Sequence, residues 1–257
     1  MELVDTHAHL NFPAFEKDLE EVIKTSLAEG VTTIINVGTD LPTSKTSIEL
    51  AEKYNFIFAT AGIHPTDSPD INIEKEVTEL KKLVEQHPVV AVGECGLDFY
   101  RQENKEERKR QIELFEKQVD IAKKEDLPLI VHSREAWPET LEIVKDSGLK
   151  KGVFHSWTYN EDITREALKE TDFYFAFNGI VTFKNALFVQ ESAKLIPQDR
   201  LLLETDCPFL SPHPKRGLRN EPVNVRIVAE LLADLKNTTQ SEIAQITTQN
   251  AKNIFNL

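Results

Sequence analysis

The sequence predicts an α/β protein, a (β/α)8 TIM barrel with an additional C-terminal helix. Three observations support this: eight short apolar runs, helical patterns that alternate with them, and a length of 257 residues. The runs are nearly continuous in apolar residues, as is typical of parallel strands covered on both faces. Eight strand–helix units in this length predict one barrel domain over residues 1–257. The runs span residues 3–10, 32–37, 57–63, 89–94, 128–132, 152–155, 173–177 and 200–206.

Helical patterns fill the intervals between these runs. The first includes Phe15 and is expected to end at Gly30, because glycine readily adopts the backbone of a helix end. A long helix is expected to begin near Asn104. The last opens with a capping box, Thr-Gln-Ser-Glu, that starts at Thr239. Asn250 shares the inner face of that helix and is interpreted as a structural hydrogen-bonding residue.

The net charge of −13 argues against a conventional duplex-binding protein, which would present a basic face. A nucleic-acid substrate stays compatible with this charge, because bound divalent cations can be the largest local charges in a site. The acidic balance therefore says more about solubility than about the substrate.

Several features of the sequence predict a cytoplasmic chain with no membrane partner. No charged leader precedes an apolar run at the N-terminus, and no run approaches the about 20 residues that a membrane helix needs. The two cysteines, Cys95 and Cys207, form no disulfide framework and are interpreted as small core residues.

Two histidines, His7 and His9, lie two residues apart at the end of the first predicted strand. Side chains two residues apart on a strand point to the same face, so the two imidazoles should lie side by side. Neutral imidazole is the commonest metal ligand. Alone, this short motif is weak, and its meaning depends on the positions of the other histidines.

Five of the seven histidines and three carboxylates fall at the predicted carboxyl ends of strands. That rim is where the active sites of (β/α)8 barrels lie. Each histidine alone could be a buried, hydrogen-bonded residue, but together they predict a metal site. The residues are His7, His9, His64, Glu94, His132, His155, Glu204 and Asp206.

This set contains too many ligands for one catalytic zinc ion, which usually takes three protein ligands and a water. It suits two divalent ions about 3.5–4 Å apart, bridged by a carboxylate and a hydroxide. Glu94 follows Gly93 and precedes a Cys-Gly pair, and these small neighbours make it the natural bridging ligand. Asp206 could bind one ion and accept the proton of the water. Asp5 could orient an imidazole.

Motifs along the whole chain resemble the signatures of TatD-type metal-dependent hydrolases, within the amidohydrolase-like superfamily. They occur in the order that the family shows, from the first strand onward. They are Asp5-Thr6-His7-Ala8-His9, Gly62-Ile63-His64-Pro65, Val92-Gly93-Glu94-Cys95-Gly96-Leu97-Asp98, Val131-His132-Ser133-Arg134, His155-Ser156, Glu204-Thr205-Asp206-Cys207-Pro208 and Arg219-Asn220-Glu221-Pro222.

The resemblance implies a centre with two divalent metal ions, Mg²⁺, Mn²⁺ or Zn²⁺. It implies that one ion is bound by His7, His9, Glu94 and Asp206. It implies that the other is bound by Glu94, His132 and His155. The wider superfamily often bridges its ions with a modified lysine on the fourth strand, where this sequence has Glu94, as TatD-type members do.

Four further residues are candidates for contacting the substrate. His64 resembles a family position that faces the substrate, with a structural hydrogen bond as the alternative. Arg134 and Arg219 could pair with a phosphate, and their alternative is a salt bridge at the rim, which is favoured more for Arg134. Glu204, at the end of the last strand, completes this group.

The activity implied by the resemblance is that of a 3′–5′ exodeoxyribonuclease that cleaves phosphodiester bonds with a hydroxide activated by two metal ions. Its expected partner is nucleic acid, in the form of single-stranded DNA ends. The alternative is a metal-dependent ester or amide hydrolase, such as a D-aminoacyl-tRNA deacylase. A metal-binding structural protein without catalysis ranks last, because a structural site would be closed rather than spread over the barrel mouth.

Overall fold

The structure, a computed structural model, describes residues 1–100 and 102–257. Its eight strands form one sheet in which neighbours follow the chain order. The strands are β1 (Leu3–Ala8), β2 (Val31–Asn36), β3 (Ile57–Ala61), β4 (Val89–Asp98), β5 (Leu129–Arg134), β6 (Gly152–Phe154), β7 (Tyr174–Phe177) and β8 (Leu201–Leu203).

Helices alternate with these strands, which confirms the predicted (β/α)8 TIM barrel. Among the described residues, no helix combines the length and the apolar character needed to cross a membrane. The helices are α1 (Leu19–Ala28), α2 (Leu41–Lys53), α3 (Ile73–Val84), α4 (Lys105–Glu125), α5 (Trp137–Ser147), α6 (Glu161–Glu170), α7 (Leu187–Leu195), α8 (Val225–Leu235) and α9 (Gln240–Phe255).

Several strand boundaries differ from the predicted ones where they bear on the site. Strand β5 continues to Arg134, so His132 lies inside the strand and not at its end. Strand β4 continues to Asp98, so Glu94 lies inside the strand and not at its end. Strand β8 ends at Leu203, so Glu204 and Asp206 follow it. The predicted end of β4 lay where the apolar run met a polar residue, whereas strand pairing is decided by backbone hydrogen bonds.

The helical predictions are mostly confirmed. Asn104 caps α4, because its side chain accepts a hydrogen bond from the N–H of Glu106 at 3.0 Å. The first helix begins only at Leu19, and Phe15 belongs to a separate 3₁₀ helix, because the non-helical backbone of Asp18 (φ −143°) divides them.

The C-terminal helix α9 is also confirmed in its details. Thr239 and Glu242 form the capping box in both directions. The buried Asn250 side chain donates hydrogen bonds to the carbonyl oxygens of Gln198 and Leu201, both at 2.8 Å. Asn250 is therefore a structural residue that attaches α9 to the start of β8.

The described residues divide into two compact units. The terminal unit comprises Met1–Asn36, Ser156–Lys169 and Tyr174–Leu257, and it contains β1, β2, β7 and β8. The central unit comprises Val37–His155 and Glu170–Phe173, and it contains β3 to β6. Organisation as one domain over residues 1–257 stays a prediction.

Within the terminal unit, the first and last strands are joined at their carboxyl ends. Ala8 and Cys207 form a parallel bridge. The N–H of His9 donates to the carbonyl of Cys207, and that of Asp206 to the carbonyl of His7, both at 2.8 Å. These bonds bring the segment after β8 beside the histidines that end β1.

Within the central unit, helix α4 holds the backbone of two strand ends through buried glutamines. The Gln118 amide accepts from the N–H of Ile63 at 2.8 Å and donates to its carbonyl at 2.9 Å. Gln111 makes the same pair of bonds with Asp98, at 2.9 and 3.0 Å. Each amide thus satisfies both the N–H and the carbonyl of one residue near a strand end.

Glycines allow the strands of the central unit to approach closely. Gly96 has φ +137°, and a Cβ atom there would lie 2.0 Å from the carbonyl oxygen of His132. The small residues around Glu94 were expected to let backbone and metal approach closely. At Gly96, which has no side chain, the backbone of β5 approaches closely.

We expect Gly96→Ala to destabilise the protein by about 2 to 5 kcal/mol, because it adds steric overlap to an unfavourable backbone conformation. Gly148→Ala is the matched control: it has φ +69° but no atom within 4 Å of the added Cβ. The control should cost only about 1 to 2 kcal/mol. Urea unfolding measures both. Equal losses would contradict the close approach at His132.

Candidate metal centre

The terminal unit brings His7, His9 and Asp206 together. The Nε2 atoms of the two imidazoles lie 3.2 Å apart, as expected for side chains on one face of a strand. The Oδ1 atom of Asp206 lies 3.3 Å from Nε2 of His9 and 3.8 Å from Nε2 of His7. Two nitrogens and one carboxylate oxygen thus converge, and all three side chains are largely shielded from solvent.

Asp5 is hydrogen-bonded to the backbone that carries this cluster. Its buried carboxyl group accepts hydrogen bonds from the N–H (2.9 Å) and the hydroxyl (2.6 Å) of Thr205, and from the N–H of His7 (3.3 Å). Burial raises the pKa of Asp5 to about 8, although these hydrogen bonds oppose the rise. Asp5 was expected to orient an imidazole ring. These contacts instead hold the backbone next to His7 and Asp206.

Glu204 lies in a buried network of the terminal unit. Its Oε1 atom accepts hydrogen bonds from the N–H of Ser156 at 2.9 Å and from the amide of Asn178 at 3.0 Å. The Asn178 amide also donates to the Ser156 hydroxyl at 2.9 Å. Glu204 thus holds the residue that follows His155 in the chain. Asn178 was not identified from the sequence, although it directly follows a strand end.

In the central unit, one oxygen of Glu94 faces three imidazoles. Its Oε1 atom lies 2.9 Å from Nδ1 of His132, 3.5 Å from Nε2 of His64 and 3.6 Å from Nε2 of His155. Glu94 is only 4% exposed. Interactions with donors or cations must compensate a buried carboxylate, and imidazoles of this kind can serve as donors or share a metal ion.

His132 lies between two carboxylates. Its Nδ1 atom is bonded to Glu94, and its Nε2 atom to Oδ2 of Asp98 at 3.1 Å. Burial alone would lower the pKa of His132, but these two bonds raise it above its ordinary value. The pKa of Asp98 is held low despite burial, chiefly by the hydrogen bond with His132. The second ring nitrogen of a metal-binding histidine almost always bonds to a carboxylate, a backbone carbonyl or a water.

Asp98 was not identified as a site residue from the sequence, although it lies in a motif that was. The signal that could have found it is strand pairing: β4 and β5 are parallel, and Gly96 and Asp98 pair with His132 and Arg134. The predicted end of β4 at residue 94 concealed that pairing.

His64 makes the structural hydrogen bond that was the alternative considered for it, and its other ring nitrogen faces Glu94. Its Nδ1 atom is 2.7 Å from the hydroxyl of Thr66, which is a structural hydrogen bond, while its Nε2 atom faces Glu94. Its ring lies edge-on to that of His132, with centroids 4.5 Å apart. Burial lowers the pKa of His64 to about 4, although Glu94 opposes this effect.

The donor atoms of the central unit fit a divalent metal ion. One ligand atom each from His64, Glu94 and His132 lies within 4.8 Å of the others. Imidazole nitrogens combined with a carboxylate oxygen are ligands for zinc and related ions. The terminal unit offers a second set of imidazole nitrogens and a carboxylate oxygen, from His7, His9 and Asp206.

Arg134 ends β5 and makes a cation–π contact. Its guanidinium lies 3.7 Å from the centre of the Tyr100 ring, and the residue is exposed. The rim salt bridge that was the favoured alternative for Arg134 is found instead at Arg219.

Arg219 is held by the start of the chain. Its guanidinium donates to both carboxylate oxygens of Asp18, at 2.8 and 2.7 Å, and to Glu221 at 2.9 Å. It also donates to the carbonyl of Ala14 at 2.6 Å and lies over the ring of Phe15. The bonds with Asp18 and then Glu221 raise the pKa of Arg219. These are the contacts that the loop-holding alternative requires.

The two cysteines are buried core residues. Burial raises the pKa of both the Cys95 and the Cys207 thiol well above the ordinary value, so the nucleophilic thiolate is disfavoured. Neither therefore competes with the histidines and carboxylates as the reactive group.

A (β/α)8 barrel that carries clusters of imidazoles and carboxylates is typical of metal-dependent hydrolases. The TatD related DNase family matches residues 4–256, and the chain belongs to this family.

Similar proteins agree with that assignment. The chain is 46% identical over 257 residues to an uncharacterized metal-dependent hydrolase of Bacillus subtilis, YabD, covering 99% of each protein. It is 37% identical over 262 residues to the corresponding Escherichia coli protein YcfH, covering 100% of this chain and 97% of that protein. The crystal structure of the E. coli TatD homolog YjjV superposes with a TM-score of 0.92 at 29% identity, covering 99% of this chain and 98% of that one.

We expect Asp98→Asn to weaken divalent metal binding by about 10- to 100-fold, because His132 loses the carboxylate that orients its ring. Metal titration by calorimetry measures this. Asp120→Asn, on the exposed side of α4, is the matched control and should leave the affinity unchanged. An unaltered dissociation constant in Asp98→Asn would show that Asp98 does not contribute to metal binding.

We expect Arg219→Lys to lower the melting temperature by about 2 to 4 °C, because lysine cannot reproduce the paired bonds with Asp18 and Glu221. Arg226→Lys, at an exposed ion pair with Glu29, is the control and should change it little. Catalytic efficiency should fall equally on all substrates. A loss confined to phosphodiester substrates, without loss of stability, would favour direct phosphate binding by Arg219.

Proposed function

We propose that this chain is a 3′–5′ exodeoxyribonuclease that hydrolyses phosphodiester bonds at the ends of single-stranded DNA. The observation that carries the proposal is the buried Glu94 carboxylate that faces three imidazoles, a donor set suited to divalent ions. Membership of a family described as TatD related DNase supports a nucleic-acid substrate.

We further propose that the centre holds two ions. One is assigned to His7, His9, Glu94 and Asp206. The other is assigned to Glu94, His132 and His155. The donor clusters within each unit support this, as does the rule that barrel enzymes act at the carboxyl ends of their strands. His64, whose Nε2 atom is 3.5 Å from Glu94, is assigned to the same face as a substrate contact.

Bound divalent ions would supply a water of lowered pKa and polarisation of the phosphoryl oxygen. The protein residues provide position and proton transfer. Asp206, whose side chain is 14% exposed, keeps a carboxylate accessible as the general base. Asp98 orients the ring of His132. Asp5 accepts bonds from the backbone N–H groups of His7, in β1, and of Thr205, in the segment after β8.

The two positively charged candidates have separate assignments. Arg134 is exposed at the end of β5, and its stacking on Tyr100 leaves the guanidinium edge for a phosphate, so it is assigned to substrate binding. Arg219 is assigned to holding the loop after β8, because both of its terminal nitrogens are bonded to carboxylates.

Purified protein should remove nucleotides from the 3′ end of a 5′-labelled single strand in Mg²⁺ or Mn²⁺. Chelator should abolish this activity, and added ion should restore it. Glu94→Gln should lower kcat at least about 100-fold, which corresponds to about 2.7 kcal/mol, because it weakens the shared ligand. Glu116→Gln, on the exposed side of α4, is the matched control and should retain full activity.

Three results would contradict this proposal. Full activity in Glu94→Gln would reveal a contaminating nuclease. Loss of label from the 5′ end would reverse the polarity. Faster hydrolysis of a carboxylic ester or of D-aminoacyl-tRNA than of DNA, at the same metal concentration, would favour the ester or amide hydrolase instead.

A further inference from the structure

An exposed aromatic ring lies beside the metal-ligand cluster of the terminal unit. Phe209 follows Asp206 by three residues and is 50% exposed. Its N–H donates to the carbonyl of Asp206 at 2.9 Å, which closes a tight turn directly after that residue. The position of the ring is therefore tied to the position of a predicted ligand.

Phe209 is one of three rings that form what we call the aromatic shelf: His9, Phe12 and Phe209. Phe12 stacks on His9 with centroids 4.6 Å apart and an interplanar angle of 23°. Phe209 packs edge-on against both, at 6.0 Å from Phe12 and 6.3 Å from His9. Both contacts are edge-on, and half of the Phe209 surface stays open to solvent.

The loop that carries Phe209 is basic within an acidic protein. Residues 207–222 contain three basic residues and one acidic residue, against a net charge of −13 for the chain. Residues 213–218 are all exposed. Arg216 is among them, with its guanidinium 3.8 Å from the centre of the Phe183 ring. Exposed aromatic and cationic side chains together are typical of surfaces that bind single-stranded nucleic acid.

We propose that Phe209 stacks on a nucleobase near the 3′ end of the single strand, while the adjacent cationic loop faces its backbone. This inference rests on the proposed function and specifies how its site recognises a base. Single exposed apolar residues are common on protein surfaces. Phe209 differs because its ring packs against Phe12 and the predicted ligand His9, and because its loop presents the exposed cations Lys215 and Arg216.

Kinetics with two substrates test the stacking. Phe209→Ala should raise KM about 5- to 150-fold on an ordinary single strand, with kcat little changed. On the same strand with two abasic 3′-terminal nucleotides, the variant and the wild type should differ less than twofold. Phe209→Trp should retain the wild-type preference. Phe188→Ala, which removes an equally exposed ring on α7, is the matched control and should change neither substrate.

A binding measurement separates stacking from cleavage. In Phe209→Trp, fluorescence should be quenched saturably by an ordinary single strand in chelator, where no cleavage occurs, and hardly at all by the abasic strand. The native Trp137 and Trp157 are only 3% and 2% exposed, so they should contribute little to the change.

The outcomes distinguish the stacking from the proposed nuclease activity. Base-dependent quenching without any cleavage would overturn the nuclease and leave the stacking intact. Equal quenching by ordinary and abasic strands, or none by either, would overturn the stacking whatever the nuclease assay gives. An effect of Phe188→Ala equal to that of Phe209→Ala would also overturn it.

Discussion

The candidate site depends on a buried carboxylate surrounded by imidazoles. Removing the Glu94 carboxylate from water is costly unless partners compensate its charge, and one of its oxygens lies within 3.6 Å of three histidine nitrogens. The imidazoles in turn must present nitrogens and not carbons to that oxygen. The orientation of each ring is therefore the constraint that the surrounding residues have to satisfy.

A chain of hydrogen bonds from helix α4 meets this constraint for the ring of His132. The amide of Gln111 holds the backbone of Asp98, the carboxylate of Asp98 holds His132, and His132 holds Glu94. Gly96 contributes by leaving room for the backbone of β5 next to His132. Because each step involves buried polar groups with directional bonds, loss of any one would leave an unsatisfied group in the interior.

The fold was predictable because it follows from periodicity and burial, which the sequence records directly. The eight apolar runs became eight strands, and the caps at Asn104 and Thr239 begin helices α4 and α9 as expected.

The contacts of the two arginines Arg134 and Arg219 were less predictable. The ion pair lies at Arg219, whose partner Asp18 is about 200 positions away, and not at Arg134. A salt bridge between such distant residues leaves no local pattern.

The sequence by itself determined the class of fold, the family and the set of histidines and carboxylates available for chemistry, because these depend on residue identity and spacing along the strands. Only the tertiary structure decided which groups support the predicted ligands. It brought Asp98 to His132, Asp5 to Thr205 and Glu204 to the residue after His155. Such partners are selected by strand register and backbone hydrogen bonding, which relate residues distant in sequence and therefore appear only when the chain is folded.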